Sequence, residues 1–179
     1  AQTTAKANAQ ALVPDLAKFG NISGTKLSGQ IALNADIDAN LNNQKSPLKS
    51  ANVDIKAMDG IITANLDNGK LKAKIQNILV QNIFLMIGQK PLLNGELNGE
   101  LNLDSIDIAN LNGKGDIKLE NGVLNAANLK ELTNKEFPQN TTLNAHIKPT
   151  FTNSTVHFAS IISSNLATIN KFDGSYDIN

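Results

Sequence analysis

His146 and His157 are the only imidazoles in the chain, and imidazole is the first group to test for proton transfer or metal binding near neutral pH. Neither stands in an H-x-x-x-H or H-E-x-x-H arrangement, so a zinc site would have to recruit carboxylates for its remaining ligands. His146 falls between Ala145 and Ile147, on the polar parity of an alternating segment, where a solvated strand position accounts for it. Asp36 with Asp38, and Asp104 with Asp107, are pairs of the kind that carry acid–base work. The first pair, however, lies on the wet side of an alternating strand, where nothing raises a carboxylate pKa. Asp36-Ile37-Asp38-Ala39-Asn40 opens like a calcium loop, yet Leu41 and Pro47 occupy the positions of its glycine and its closing glutamate. Gly113-Lys114-Gly115 belongs to no phosphate-binding pattern, because neither G-x-x-x-x-G-K-[ST] nor G-x-G-x-x-G is completed. The acceptor patterns Asn140-Thr141-Thr142 and Asn153-Ser154-Thr155 carry meaning only in a glycosylating cell. With no cysteine in the chain, disulfides, thiolate nucleophiles and Cys-ligated zinc are excluded. The residues therefore point away from an enzyme, with no cofactor and no metal expected.

The composition narrows the partners. Lys+Arg and Asp+Glu both number 16 for a net charge of zero, every basic residue is Lys, and aromatics make up 4%. Nucleic-acid recognition favours guanidinium forks on an electropositive face, or a platform of stacking rings, and this chain offers neither. No apolar run reaches the roughly 20 residues of a spanning helix, the longest being Ile83 to Ile87. The opening Ala-Gln-Thr-Thr has neither a charged n-region nor an apolar h-region, which places any targeting signal or anchor outside these residues.

Asparagine is the outlier, 26 of 179 residues, and its regular interleaving with aliphatics predicts folded β-structure. From Gly24 to Asn42 the odd positions Leu27, Gly29, Ile31, Leu33, Ala35, Ile37, Ala39 and Leu41 alternate with polar residues, a period of two that no helix fits. This predicts one strand of about 15 residues, roughly 50 Å long. The alternation recurs over 51–57, 62–66 and 71–75, with Asp67-Asn68-Gly69 a type I′ hairpin signal. It continues over 93–103, 111–119, 143–147, 156–158 and 172–178, with Glu120-Asn121-Gly122 as a further turn. About nine strands result. Val80, Ile83, Phe84 and Ile87 stand at helical spacing before Gly88. Asn128 with Glu131 three residues on has capping-box spacing. A third short helix is expected over 14–19, stopped by Gly20, preceded by a linker over residues 1 to about 12.

The fold class expected is mainly β: a long, curved, mostly antiparallel sheet, shaped as a groove, with two or three short helices. Residues 1–20 form the linker and short helix, and 21–179 the sheet domain. Its apolar face alternates large with small residues, where a compact sandwich would want large ones throughout. On parity, Leu27, Ile31, Leu33, Ile37, Leu97, Leu101, Leu103, Ile117 and Leu119 line a groove, and Ala35, Ala39, Gly95 and Gly99 set its width.

The order of elements carries a resemblance. Ile75 to Phe84, then Leu93-Asn94-Gly95-Glu96-Leu97-Asn98-Gly99-Glu100-Leu101-Asn102-Leu103, then Leu111-Asn112-Gly113-Lys114-Gly115 through Leu124, is similar to the C-terminal region of the AsmA family. There a strand, a short apolar helix, a leucine-x-Gly strand, an L-x-G-x-G strand, an N/D-G turn and a second short helix succeed one another. The ending Phe172-Asp173-Gly174-Ser175-Tyr176-Asp177-Ile178-Asn179 resembles the closing strand of that family, with one glycine where the family has two. The resemblance covers roughly residues 14–179. It implies a periplasmic protein of a Gram-negative bacterium, tethered to the inner membrane by an N-terminal anchor outside these residues. It implies further a groove for phospholipid acyl chains, serving lipid transport to the outer membrane and outer-membrane biogenesis, with outer-membrane assembly proteins as further partners. The alternative is a structural or interaction module, either a sheet edge that guides incoming β-strands or an adhesin-like β-solenoid.

Overall fold

Alternation at a period of two gives each strand one wet side and one greasy side, and a sheet keeps those sides in common when its register matches them. The structure, a computed structural model, describes residues 3–19, 21–22, 25–42 and 48–178. Ten strands form one open antiparallel sheet: β1 (Thr4–Val13), β4 (Ile31–Asn40), β5 (Leu48–Ala57), β6 (Gly60–Asp67), β7 (Lys70–Leu79), β8 (Leu93–Ser105), β9 (Asn112–Leu124), β10 (Thr142–Thr152), β11 (Thr155–Ser163) and β12 (Thr168–Asp177), neighbouring in that order. β2 (Asn21–Ile22) and β3 (Thr25–Lys26) pair separately. The fold class is the mainly β, groove-like sheet expected.

Two helices interrupt the meander. α1 (Val80–Met86) follows β7, and α2 (Ala126–Thr133) follows β9. The Gly88 signal is borne out: Gly88 has φ +70, its N–H donates to the Leu85 carbonyl, and the Gln89 N–H donates to the Phe84 carbonyl. That is the double bond of a Schellman motif. Asn68 and Gly69, at φ +48 and +78, form the two-residue turn expected between β6 and β7. α1 lies on β7 and β8, while the Asn125 N–H before α2 donates to the Leu92 carbonyl just before β8. Both helices thus occupy the same end of the strands as the Met58-Asp59 turn, and the Asn68-Gly69 and Asn153-Ser154 turns occupy the other.

Asparagine abundance has a backbone cause. Among the described residues, six of the nine non-glycine residues at positive φ are Asn68, Asn77, Asn121, Asn134, Asn140 and Asn153, and Asn is the side-chain-bearing residue that tolerates this region best. Asn77 and Asn121 sit at shifts of register, between Ile75 and Ile78 in β7 and opposite Leu143 to Ala145 in β10. Such bulges bend and twist a sheet.

Five expectations are corrected. The 1–12 stretch is no linker: Thr4–Val13 is the edge strand β1, paired with β4 from Thr4↔Asn40 to Val13↔Ile31. Over 14–19 only a 3-10 turn forms, Leu16–Phe19, and Gly20 lies outside the described residues. The 15-residue strand is shorter, because Gly29 turns at φ +100 and β4 starts at Ile31. Glu120-Asn121-Gly122 is no turn, since β9 runs through it to Leu124. The cap of α2 is Asn125, whose side chain accepts from the Asn128 N–H at 3.1 Å, rather than Asn128 itself.

Candidate functional site

The register carries the greasy side across the whole sheet. One row, perpendicular to the strands, runs Ala11, Leu33, Ile55, Ile62, Ile75, Gly99, Ile117 and Ile147. A second, two residues along, runs Ala9, Ala35, Val53, Ala64, Ala73, Leu101 and Gly115. A third runs Ala7, Ile37, Ala51, Leu66, Leu71, Leu103, Gly113 and Phe151. From β4 to β7 the middle row holds nothing larger than valine, while Leu33, Ile55, Ile62 and Ile75 stand on one side and Ile37, Leu66 and Leu71 on the other. Small floor and taller flanks make a trough. Its axis crosses the strands, and at about 4.8 Å spacing the small-floored stretch from β4 to β7 is roughly 14 Å long in a sheet roughly 43 Å across.

The sheet is concave on this side. A Cβ on Gly99 would point with Ile75 and Ile117, would collide with the Asp116 carbonyl oxygen and would come within 2.9 Å of Ile117 Cα. A Cβ on Gly113 would likewise strike the Asn102 carbonyl and come within 2.7 Å of Leu103 Cα. At both points the neighbouring backbone has swung toward the apolar face, an approach open only to glycine.

Among the described residues no second layer covers the trough, since the contacts between elements join sheet neighbours, or α1 to the ends of β7 and β8. The surface area agrees. The chain exposes 11531 Å², whereas a compact monomer of this mass exposes about 8,400 Å². Of the lining residues read from the sequence, Ala35, Leu103 and Leu119 are buried, and Ile31, Leu33, Ile37, Ala39, Leu97, Gly99, Leu101 and Ile117 are half-buried. Leu33, Ala35, Ile37, Gly99, Leu101, Leu103 and Ile117 fall in the three rows. Ile31, Leu97 and Leu119 lie on the helix side of them, Ile31 between Val13 and Ala57, and Leu97 between Ile78 and Leu119. Ala39 lies at the opposite rim, between Ala5 and Leu48. Leu27 is a correction: it precedes the Gly29 turn and lies outside β4. Gly95 is buried at a register shift near the start of β8, and shapes that end of the strand rather than the width of the trough.

Sequence reasoning missed the floor itself. Ala64 and Ala73 reveal their role only through the pairings Val53↔Ala64, Ala64↔Ala73 and Ala73↔Leu101. Ala9 joins them because β1 exists.

The convex face is wet and laddered. Asn8 Nδ2 donates to Asp36 at 2.6 Å, and Asn65 Nδ2 to Asn52 at 2.6 Å. His146 is not simply solvated: its Nε2 lies 2.8 Å from both oxygens of Asp116. That hydrogen bond holds the Asp116 carboxyl below its usual range, against the opposing effect of desolvation and with lesser help from the charges of its neighbours, Lys118 and Lys148 among them. Asp36 lies on the outer side, as expected. No group of three or more His, Asp or Glu is placed to hold a metal among the described residues, and no helix there is long and apolar enough to cross a membrane. A recess of about 720 Å³ lies at the helix end, between the Met58-Asp59 turn and α1, with Gln30, Lys56, Ile61 and Leu85 in its wall.

The geometry thus defines a class: an open, single-layer antiparallel sheet with one continuous, concave apolar face. In comparisons with known proteins, no family model, no curated protein and no solved structure matches this chain.

Proposed function

We propose that this chain is a non-enzymatic, AsmA-like periplasmic module, held at the inner membrane by an anchor outside these residues, whose trough carries phospholipid acyl chains toward the outer membrane. The observation that supports the reading is the apolar face left uncovered among the described residues, with its small-residue floor from β4 to β7. Each methylene exposed to water costs about 0.8 kcal/mol, roughly 13 kcal/mol for a 16-carbon tail, and a trough of this kind removes most of that cost. One tail spans about half of the ~30 Å bilayer core, so it fits lengthwise along the rows. Zero net charge and the absence of a cationic cluster in the trough suit a conduit that grips tails and leaves head groups in water. The antiparallel ladder argues against a solenoid, whose coils stack in parallel.

Mass spectrometry of lipids released from the purified chain tests the reading. Co-purifying phospholipid, displaced by added fatty acid, is the expected result. A chain that emerges lipid-free and takes up none from mixed phospholipid vesicles would overturn it.

A further inference from the structure

The two edges of the sheet are complementary to each other. β1 presents ten residues to solvent with no proline and no bulge, and every one from Thr4 to Leu12 is exposed. Proteins usually blunt such an edge, and a lone Lys6 is the only charge here. At the far edge, β12 leaves Phe172 51% and Tyr176 70% exposed on the apolar face. An antiparallel sheet with an even number of strands has oppositely directed edges. A second copy can therefore dock its β1 antiparallel to β12 with both apolar faces on the same side.

We propose that copies of this chain associate head to tail through β1 and β12, extending the sheet and its trough from one copy to the next. The middle row sets the register. It begins at Ala9 and, through Phe158, ends at Gly174, and aligning these two residues places Ala7 opposite Tyr176 and Ala11 opposite Phe172, small against large. On the convex side the same register sets Lys6 opposite Asp177 and Asn8 opposite Ser175. Pairing β1 with β1 of another copy would set alanine against alanine and leave both aromatic rings uncovered. Zero net charge removes long-range repulsion between copies. A single ten-residue ladder falls at the small end of interface sizes, below about 1,200 Å², so the association is weak and depends on concentration. It does not rest on the lipid reading.

Sedimentation velocity of the full chain tests this. The expected result is a mass that climbs above 19.1 kDa as concentration rises, while Ala9→Lys and Tyr176→Asp, both altered at exposed edge positions, remain monomeric. The chain has no cysteine, so Asn8→Cys and Ser175→Cys can be mixed as single variants. Directly opposed residues have Cβ atoms about 4.5–5.5 Å apart, and a short thiol crosslinker should join the two variants severalfold more than either to itself. A mass that stays at 19.1 kDa up to about 1 mM, or crosslinking chiefly of Asn8→Cys to itself, would overturn the proposal.

Discussion

His146 Nε2 donates across two strands to the Asp116 carboxylate at 2.8 Å, tying β10 to β9 on the convex face. Asp116 has a lowered folded pKa, so its contribution to stability is complete above its unfolded value near 3.8 and is lost as pH falls through the lower folded value. Carbon-detected NMR should place the Asp116 titration midpoint below 3.8, and His146→Ala should bring it back up. Equal midpoints in the two proteins would remove the imidazole as the cause.

Leu101 stands on the floor between Ala73 and Gly115. Leu101→Asp puts a carboxylate where a tail would lie, and an unpaired polar group costs about 1–3 kcal/mol. Lipid occupancy should drop about tenfold or more, with the β-sheet circular dichroism kept. Asn102→Asp, one residue on and facing outward, should leave occupancy unchanged. Equal loss in both would point to general destabilisation.

Ala73→Phe separates an open trough from a sealed core. Overpacking a filled interior costs about 1–3 kcal/mol. Over an uncovered floor the ring has room, so the urea midpoint should hold while lipid load falls. A large drop in midpoint would mean that something already occupies that space.

Gly99→Ala meets the Asp116 carbonyl oxygen directly. Backbone must shift to admit it, and a loss of about 1–3 kcal/mol is expected in urea unfolding. Ser175→Ala, on an exposed edge, serves as the control and should change stability by less than about 0.5 kcal/mol.

Much of this architecture was legible because polar and apolar residues alternate so strictly. Ile31 to Ala39, Ala51 to Ala57 and Leu97 to Leu103 declared both strand and face, and Gly88 declared the end of α1. β1 carried the same signal, Ala5, Ala7, Ala9, Ala11 and Val13 against Lys6, Asn8 and Gln10. Alanine is a weak apolar marker and a strong helix former, which is why that rhythm read as a linker. Asn121-Gly122 spells a hairpin turn, and only the distant partner Leu143 makes it a bulge instead. The trough floor was illegible for a related reason. The Asn68-Gly69 hairpin sets Ala64 beside Ala73, but the floor as a whole needs β1, the pairing across the Met58-Asp59 turn and the β7–β8 register past the Asn77 bulge, which only the folded sheet settles.

Because no second layer lies over the strands among the described residues, each strand depends almost wholly on the two beside it. The molecule is in effect one-dimensional, a zipper whose cohesion is a sum over adjoining teeth. Such a chain loses order from its margins inward, with β1 and β12 fraying first and the amides of β7 to β9 exchanging last. Whatever tugs on a margin, whether a tether or a cargo, is felt across the width only tooth by tooth.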